Sequence, residues 1–301
     1  MSEFGVNARV SSAPRKAIIC MLSGAAVLTT NDALLKWLSS DYHVGQIMFC
    51  RGIFISIPLI VLIWQSGGLK SLRTVNPKGH VLRAALVVVG TFLFVSGLAY
   101  LPLTDAIAIT FSGPLFITTL APTLLGESVG WRRWSAVLAG FFGILLIMRP
   151  GGDVMQWAAL FPLLASLTGA FRDLLTRHLS SKETTVAMLS YTTLGVILAS
   201  SATIPFIWKP VPMVDWGWFV LSGLLVGSAH FLMIETFRYG EATLVAPFKY
   251  SGVIWAGLFG YFIWEDIPDT ATVSGISLVV VAGFYILHRE RLDRSRGSET
   301  L

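Results

Sequence analysis

LAYLPLTDAIAITFSGPLFITTLAPTLLGESVGWRRWSAVLAGFFGILLIMRP, residues 98–150, returns in altered form as TFRYGEATLVAPFKYSGVIWAGLFGYFIWEDIPDTATVSGISLVVVAGFYILHRE, residues 236–290. A shift of 138 positions lays Leu98–Ala106 on Thr236–Leu244, a polar turn between apolar runs in both, and carries Glu127 onto Glu265 where the next run ends. Gly143 then falls beside Ala282–Gly283 in a closing apolar segment. The repeat also shows upstream. At a shift of 141, Asn31-Asp32 through Leu38-Ser39-Ser40 lies over Arg172-Asp173 through Leu179-Ser180-Ser181, with Lys36 on Arg177. At 140, Met48–Arg51 lies over Met188–Tyr191 as a fainter echo. Self-similarity at this spacing means a chain built from two related halves.

Composition fixes the medium in which those halves fold. Hydrophobic residues make up 54% of the 301, charged residues 13%, and the mean hydropathy is +0.71, whereas a soluble domain carries about 25% charged residues. This is a membrane chain. Its net charge of +5 sits in short links and at both ends, where the positive-inside rule accounts for it, so no nucleic-acid partner is expected. Cys20 and Cys50 fall inside spanning segments at opposite depths, which argues against a disulfide and against a metal site. The first apolar run, 17–38, is too long for a signal-peptide core and is interrupted by Asn31 and Asp32, so it reads as the first spanning helix.

Crossing a hydrocarbon core of about 30 Å takes about 20 apolar residues at 1.5 Å rise. Ten segments qualify: 17–38, 44–66, 81–100, 104–125, 131–149, 157–178, 186–208, 216–238, 242–264 and 270–288. Short links with turn residues, such as Leu101-Pro102 and Asp266–Asp269, make neighbours antiparallel. The basic residues then set the orientation. With the amino terminus in the cytoplasm, Lys36, Arg149 and Lys209 alone fall outside, and both termini lie inside. Five helices per half is an odd number, so the halves insert with opposite topology. The expected fold is an all-α membrane protein of ten transmembrane helices in two inverted five-helix repeats, residues 17–150 and 154–288, between cytoplasmic tails 1–16 and 289–301.

Several motifs carry a resemblance. Asp32, Lys36 and Arg51 across the first two helices, the Ala99–Leu103 turn, Phe111-Ser112-Gly113-Pro114-Leu115, Gly126-Glu127 and Ala246–Tyr250 are together similar to the drug/metabolite transporter superfamily. Within it the chain resembles the ten-helix EamA type over residues 17–288, and the 247–250 run with Arg51 resembles the importer-type bacterial members, those for riboflavin or S-adenosylmethionine. The resemblance implies a secondary transporter in the bacterial inner (plasma) membrane. It leaves the energy source open between a proton gradient, a counter-substrate and the substrate's own gradient, and it leaves a homodimer open. Lipid and a small-molecule metabolite are the expected partners, and no cofactor is expected.

An ionisable group in a span costs at least about 2.5–3.5 kcal/mol, so each needs a partner or a wet path. Asp32, Lys36 and Arg51 form one set; Arg172, Asp173, His230, Glu235 and Lys249 form the other. Asp32 with Lys36 and Asp173 with Arg177 are four apart on one face, which fits intrahelical ion pairs as well as it fits coupling groups. Arg51 has no acid on its own helix, so it either bridges to Asp32 or faces a substrate. Lys249 is the leading ligand candidate, since it lies deep in helix nine just past Pro247, whose ring removes a helical hydrogen bond. Its alternative is a buried pair with Glu235 or Asp173. Tyr250, Arg172, Phe111, Ser112 and Trp255 complete the substrate-binding candidates, the aromatics as stacking surfaces for a planar group. Asp173, Glu235 and Asp32 are candidates for proton coupling and His230 for a switch, although an intramembrane His is commonly a packing residue. Glu127 and Glu265 read as helix-ending residues.

A small polar or zwitterionic metabolite bound between the halves near mid-membrane and exposed alternately to either side is the leading reading. No GxxxxGK[ST] sequence points to ATP coupling, and neither HExxH nor GxSxG supports an intramembrane enzyme. A passive pore is the third reading.

Overall fold

The computed structural model describes residues 14–125, 130–148, 157–179, 183–239, 248 and 250–298, and among these every regular element is helical. In chain order they are α1 (Pro14–Leu38), α2 (Val44–Gln65), α3 (Pro77–Leu98), α4 (Leu103–Thr110), α5 (Gly113–Leu125), α6 (Trp131–Met148), α7 (Leu160–Leu179), α8 (Thr185–Ser201), α9 (Ile204–Ile207), α10 (Met213–Tyr239), α11 (Ser251–Trp264) and α12 (Thr270–Ser298). Six stretches are long and apolar enough to cross a membrane, namely Arg15–Leu38, Val44–Gln65, Pro77–Leu98, Leu103–Leu120, Trp157–Thr176 and Met213–Met233. Four shorter apolar helices accompany them: Trp134–Met148, Thr185–Ser201, Ser251–Trp264 and Thr270–Ile286. The chain is an integral membrane protein.

Local chemistry explains where the helices differ from expectation. The segment expected as one helix over 104–125 is broken at Phe111-Ser112. Pro114 has no N–H to continue α4, and the amides of Leu115 and Phe116 both turn to the Ser112 carbonyl, at 2.9 and 3.0 Å. Helix α3 starts at Pro77, four residues before its expected start, because Asn76 caps it: the Asn76 side chain accepts from the Gly79 amide at 2.9 Å and proline suits the first turn. The helix expected over 186–208 stops at Ser201 and resumes as α9 around Pro205. The expected tail from 289 is helical through Ser298, since no proline or glycine before Gly297 breaks it. Glu265 ends α11 in the left-handed region at φ 58°, turning its own amide and that of Asp266 onto the Tyr261 and Gly260 carbonyls, each at 3.0 Å.

Helices pair mainly across the two halves. Helix α1 runs along α10 and α7 along α3, α2 packs on both α8 and α10, and α3 also meets α8. Helix α1 touches α11 where α7 touches α4 and α5, and α6 pairs with α12. That last crossing is backbone on backbone: a Cβ on Gly143 would lie 2.7 Å from the Gly275 carbonyl oxygen, and one on Gly275 would lie 2.5 Å from that of Gly143. Without a hydrophobic force between helices in lipid, such small-residue crossings supply the attraction.

Polar clamps fasten the halves at both ends of the bundle. At the end carrying residues 39–43, Gln46 exchanges two hydrogen bonds with the Lys209 backbone, donating to its carbonyl at 2.6 Å and accepting from its amide at 2.9 Å. Tyr42 donates to Asp215 beside it. Burial first, then the Asp215 carboxylate, push the Tyr42 hydroxyl up to about 12, so it stays a donor. At the opposite end the Glu183 carboxylate accepts from the Thr74 hydroxyl (2.8 Å) and from the amides of Val75 (3.0 Å) and Asn76 (2.9 Å). His80 Nε2 stands 3.1 Å from its other oxygen. Burial opposes the Glu183 charge, but these donors outweigh it and bring the carboxyl down to about 2.

Candidate functional site

Asp32 is six residues before the end of α1 and Arg51 seven after the start of α2, so each lies about 10 Å below the same end of the bundle. Both line a cavity of about 590 Å³ to which α6 and α12 contribute no residue. Arg172 and Asp173 enter the same cavity from α7, a similar distance from the opposite end. The space thus has a charged pair toward each end. Between them Phe111 at the α4/α5 break and Tyr250 at the start of α11 face one another in the wall, with Phe94 nearby. His230 of α10 lines it as well.

The two charged pairs differ. Arg172 closes on its neighbour Asp173, with Nε at 2.9 Å and a terminal nitrogen at 2.8 Å from one carboxylate oxygen. The alternative partner for Asp173, Arg177, has its side chain outside the described residues. Asp32 and Arg51 interact electrostatically, yet among the described residues no ion pair within 4.0 Å joins Asp32 to Arg51 or to Lys36. The partner found for Asp32 is the adjacent Asn31 amide at 3.4 Å, and Asn31 in turn accepts from the Ser222 hydroxyl of α10 at 2.8 Å. A buried guanidinium and a carboxylate therefore face the cavity on neighbouring helices without being locked together, an arrangement suited to a ligand carrying both signs of charge.

Not every expected residue reaches the cavity. Lys36 turns away from Asp32; its ammonium donates to the Leu101 carbonyl at 2.5 Å and lies 5.2 Å from the centre of the Trp264 ring. Ser112 is buried behind the wall, donating to Ser166 at 2.9 Å. Trp255 is 37% exposed on α11 and does not line the space. Lys249 and the Glu235 side chain lie outside the described residues, as does Glu127. Both cysteines are free, and among the described residues no cluster of His, Cys, Asp and Glu could hold a metal.

Arg83, at the cytoplasmic start of the third expected span (81–100), was not among the candidate site residues. With α3 starting at Pro77, Arg83 stands nearly two turns in, where it donates to Thr176 (2.8 Å), to the Met188 carbonyl (3.1 Å) and to Thr192 (3.3 Å). Thr192 itself lines the cavity. The Asn76-Pro77 pair was the signal that could have placed it.

This cavity belongs to a recognisable kind of molecule. The sequence profile of the EamA-like transporter family matches residues 15–149 and again 156–288. The chain belongs to the EamA-like transporter family. The S-adenosylmethionine uptake transporter of Rickettsia prowazekii is 30% identical to this EamA protein over 278 residues, 90% of the chain and 92% of the relative. The riboflavin transporter of Rhizobium johnstonii is 32% identical over 230 residues, 74% of each. A solved crystal structure shares the fold with a TM-score of 0.63 at 18% identity, covering 92% of this chain and 99% of its own. The EamA chain is accordingly a small-metabolite transporter and not an enzyme.

Proposed function

We propose that this EamA protein carries a small zwitterionic metabolite across the bacterial inner membrane by alternating access, with ten spans in two inverted five-helix repeats and both termini in the cytoplasm. The observation that carries the reading is how the helices exchange partners around one cavity. Swapping the halves turns the α1 and α10 contact into that of α7 and α3. It turns α2 on α10 into α8 on α3, and α1 on α11 into α7 on the α4/α5 pair, while α2 with α8 and α6 with α12 map onto themselves. Such exchange is what an inverted repeat produces, and it gives one scaffold two related conformations. Both halves line the cavity, with a charged pair toward each end.

Asp32 and Arg51 receive the ammonium and carboxylate of the substrate in this reading, and Lys249, next in sequence to the wall residue Tyr250, adds a second cation. S-adenosylmethionine is the first substrate to test and riboflavin the second, because these are the compounds the relatives are named for. Purified protein in sealed proteoliposomes should show saturable uptake of one of them with counterflow; flux linear in concentration would make it a pore. Arg51→Gln and Lys249→Ala should each lower uptake by at least about tenfold with insertion intact. Undiminished uptake in either variant removes that residue from the site.

A further inference from the structure

Phe111-Ser112-Gly113 and Tyr250-Ser251-Gly252 are versions of one three-residue turn, 139 positions apart. Each opens a helix, α5 and α11 respectively. In the fold the two turns meet: the Phe111 and Tyr250 ring centres are 5.0 Å apart at an interplanar angle of 73°, both in the cavity wall between the charged pairs. A Cβ on Gly252 would lie 3.4 Å from the Thr29 hydroxyl of α1 and 3.6 Å from the tip of the Phe111 ring.

Tyr250 is set in place from behind. Phe284 of α12 stacks on it at 5.5 Å and 24°, and its hydroxyl occupies a notch over Gly283, where a Cβ would stand 1.7 Å from the oxygen and 2.7 Å from the ring carbon that bears it. No side chain other than hydrogen at 283 fits this ring position. Tyr250 is only 9% exposed, and among the described residues its hydroxyl has no hydrogen-bond partner. The hydroxyl thus points out of the cavity toward Gly283, which leaves the ring as its working part. Two rings edge to face offer a third planar group both a face and an edge, the geometries aromatic pairs prefer. The cavity's 590 Å³ is within the range of about 300–1,000 Å³ usual for small-molecule sites.

We propose that Phe111 and Tyr250 form a ring-binding subsite for a planar aromatic or heteroaromatic group of the substrate, and that Gly283 is the positioning residue that sets the Tyr250 ring. The proposal rests on the reading of this cavity as the transport site. It makes α12, which lines none of the cavity, a determinant of which substrates are carried. Together with the flanking charges it selects a molecule with a zwitterionic end and a flat end.

The test is thermal stabilisation of the purified full chain by four probes: methionine (zwitterion without ring), adenosine and riboflavin (ring without zwitterion), and S-adenosylmethionine (both). Tyr250→Leu and Gly283→Ala should each raise the half-saturating concentration of the ring-bearing probes by about tenfold or more, while the methionine response stays within about twofold. Retention of the methionine response shows that the variants are folded with the rest of the site intact. Ring-bearing probes that bind Tyr250→Leu as well as wild type would overturn the subsite alone, and so would a Gly283→Ala variant that loses methionine as badly as S-adenosylmethionine. A wild-type protein stabilised by none of the four overturns the transport reading of the cavity and the subsite with it.

Discussion

Arg51 shows how far a single residue can be read. A guanidinium on an apolar helix without an acid of its own had either to bridge to Asp32 or to await a ligand, and the structure leaves the two side chains near one another but not joined within 4.0 Å. An Asp32→Asn change should therefore lower uptake of a zwitterion by at least about tenfold while leaving thermal stability within about 1 kcal/mol of wild type, because no ion pair is broken; a large fall in the unfolding temperature would mean the two are a structural bridge. Glu183 gives the opposite case, a carboxylate fully engaged by the protein. Its folded value, about 2 against an ordinary 4.5, is depressed, so its stabilisation is complete above pH 4.5 and fades as pH falls toward 2. The unfolding temperature of wild type should exceed that of Glu183→Gln by a constant margin at neutral pH, and the margin should shrink below pH 4.5; a margin independent of pH down to 3 would show that the charge is not what the Thr74–Asn76 turn holds. Sequence made Asp32, Arg51, Phe111, Tyr250, Arg172, Asp173 and His230 visible because polar and aromatic groups stand out in an apolar span, and all seven line one cavity. It did not single out Arg83, because a basic residue near a cytoplasmic helix start is accounted for by the positive-inside rule alone. Glu183 and Tyr42 passed unnoticed because their partners lie more than a hundred positions away.

Among the elements, the breaks matter more than the lengths. Apolar length found the six stretches long enough to cross and the four shorter apolar helices, and Pro114 announced an irregularity, but the site of the break is fixed by the Ser112 carbonyl taking over two amides, a detail of hydrogen-bond exchange that no hydropathy window registers. Glu265 was read as a helix end, and its φ of 58° shows the means. A non-glycine residue there costs about 1–2 kcal/mol, so Glu265→Gly should stabilise the protein by about 1 kcal/mol in a detergent unfolding titration, with uptake unchanged. The α6 and α12 crossing has no such latitude. Gly275→Val would force two backbones apart where a single Cβ already lies 2.5 Å from a carbonyl oxygen, and should cost about 3 kcal/mol or more, read as loss of the monodisperse peak on gel filtration.

At the scale of the whole molecule, the duplication legible in residues 98–150 and 236–290 becomes an interlock and not a pair of separate bundles, since α1, α2, α3 and α6 each find major partners in the other half. Neither half can bury its polar residues alone. Residues 1–152 and 153–301 made as separate polypeptides in one cell should restore uptake when both are present, whereas either alone should be degraded; a stable, detergent-soluble first half by itself would contradict the interlock. The same dependence bears on how the chain is made. Asn31 binds Ser222, 191 positions later, and Gln46 binds the backbone of Lys209. At about 5–20 residues per second, the ribosome delivers those partners some ~10–40 s after the first helices emerge. Throughout that interval the newborn amino-terminal segments must wait with amide and guanidinium groups facing lipid or the insertion machinery. A quality-control protease that senses such groups would act here during synthesis, and slowing translation between codons 150 and 220 would lower the yield of finished transporter.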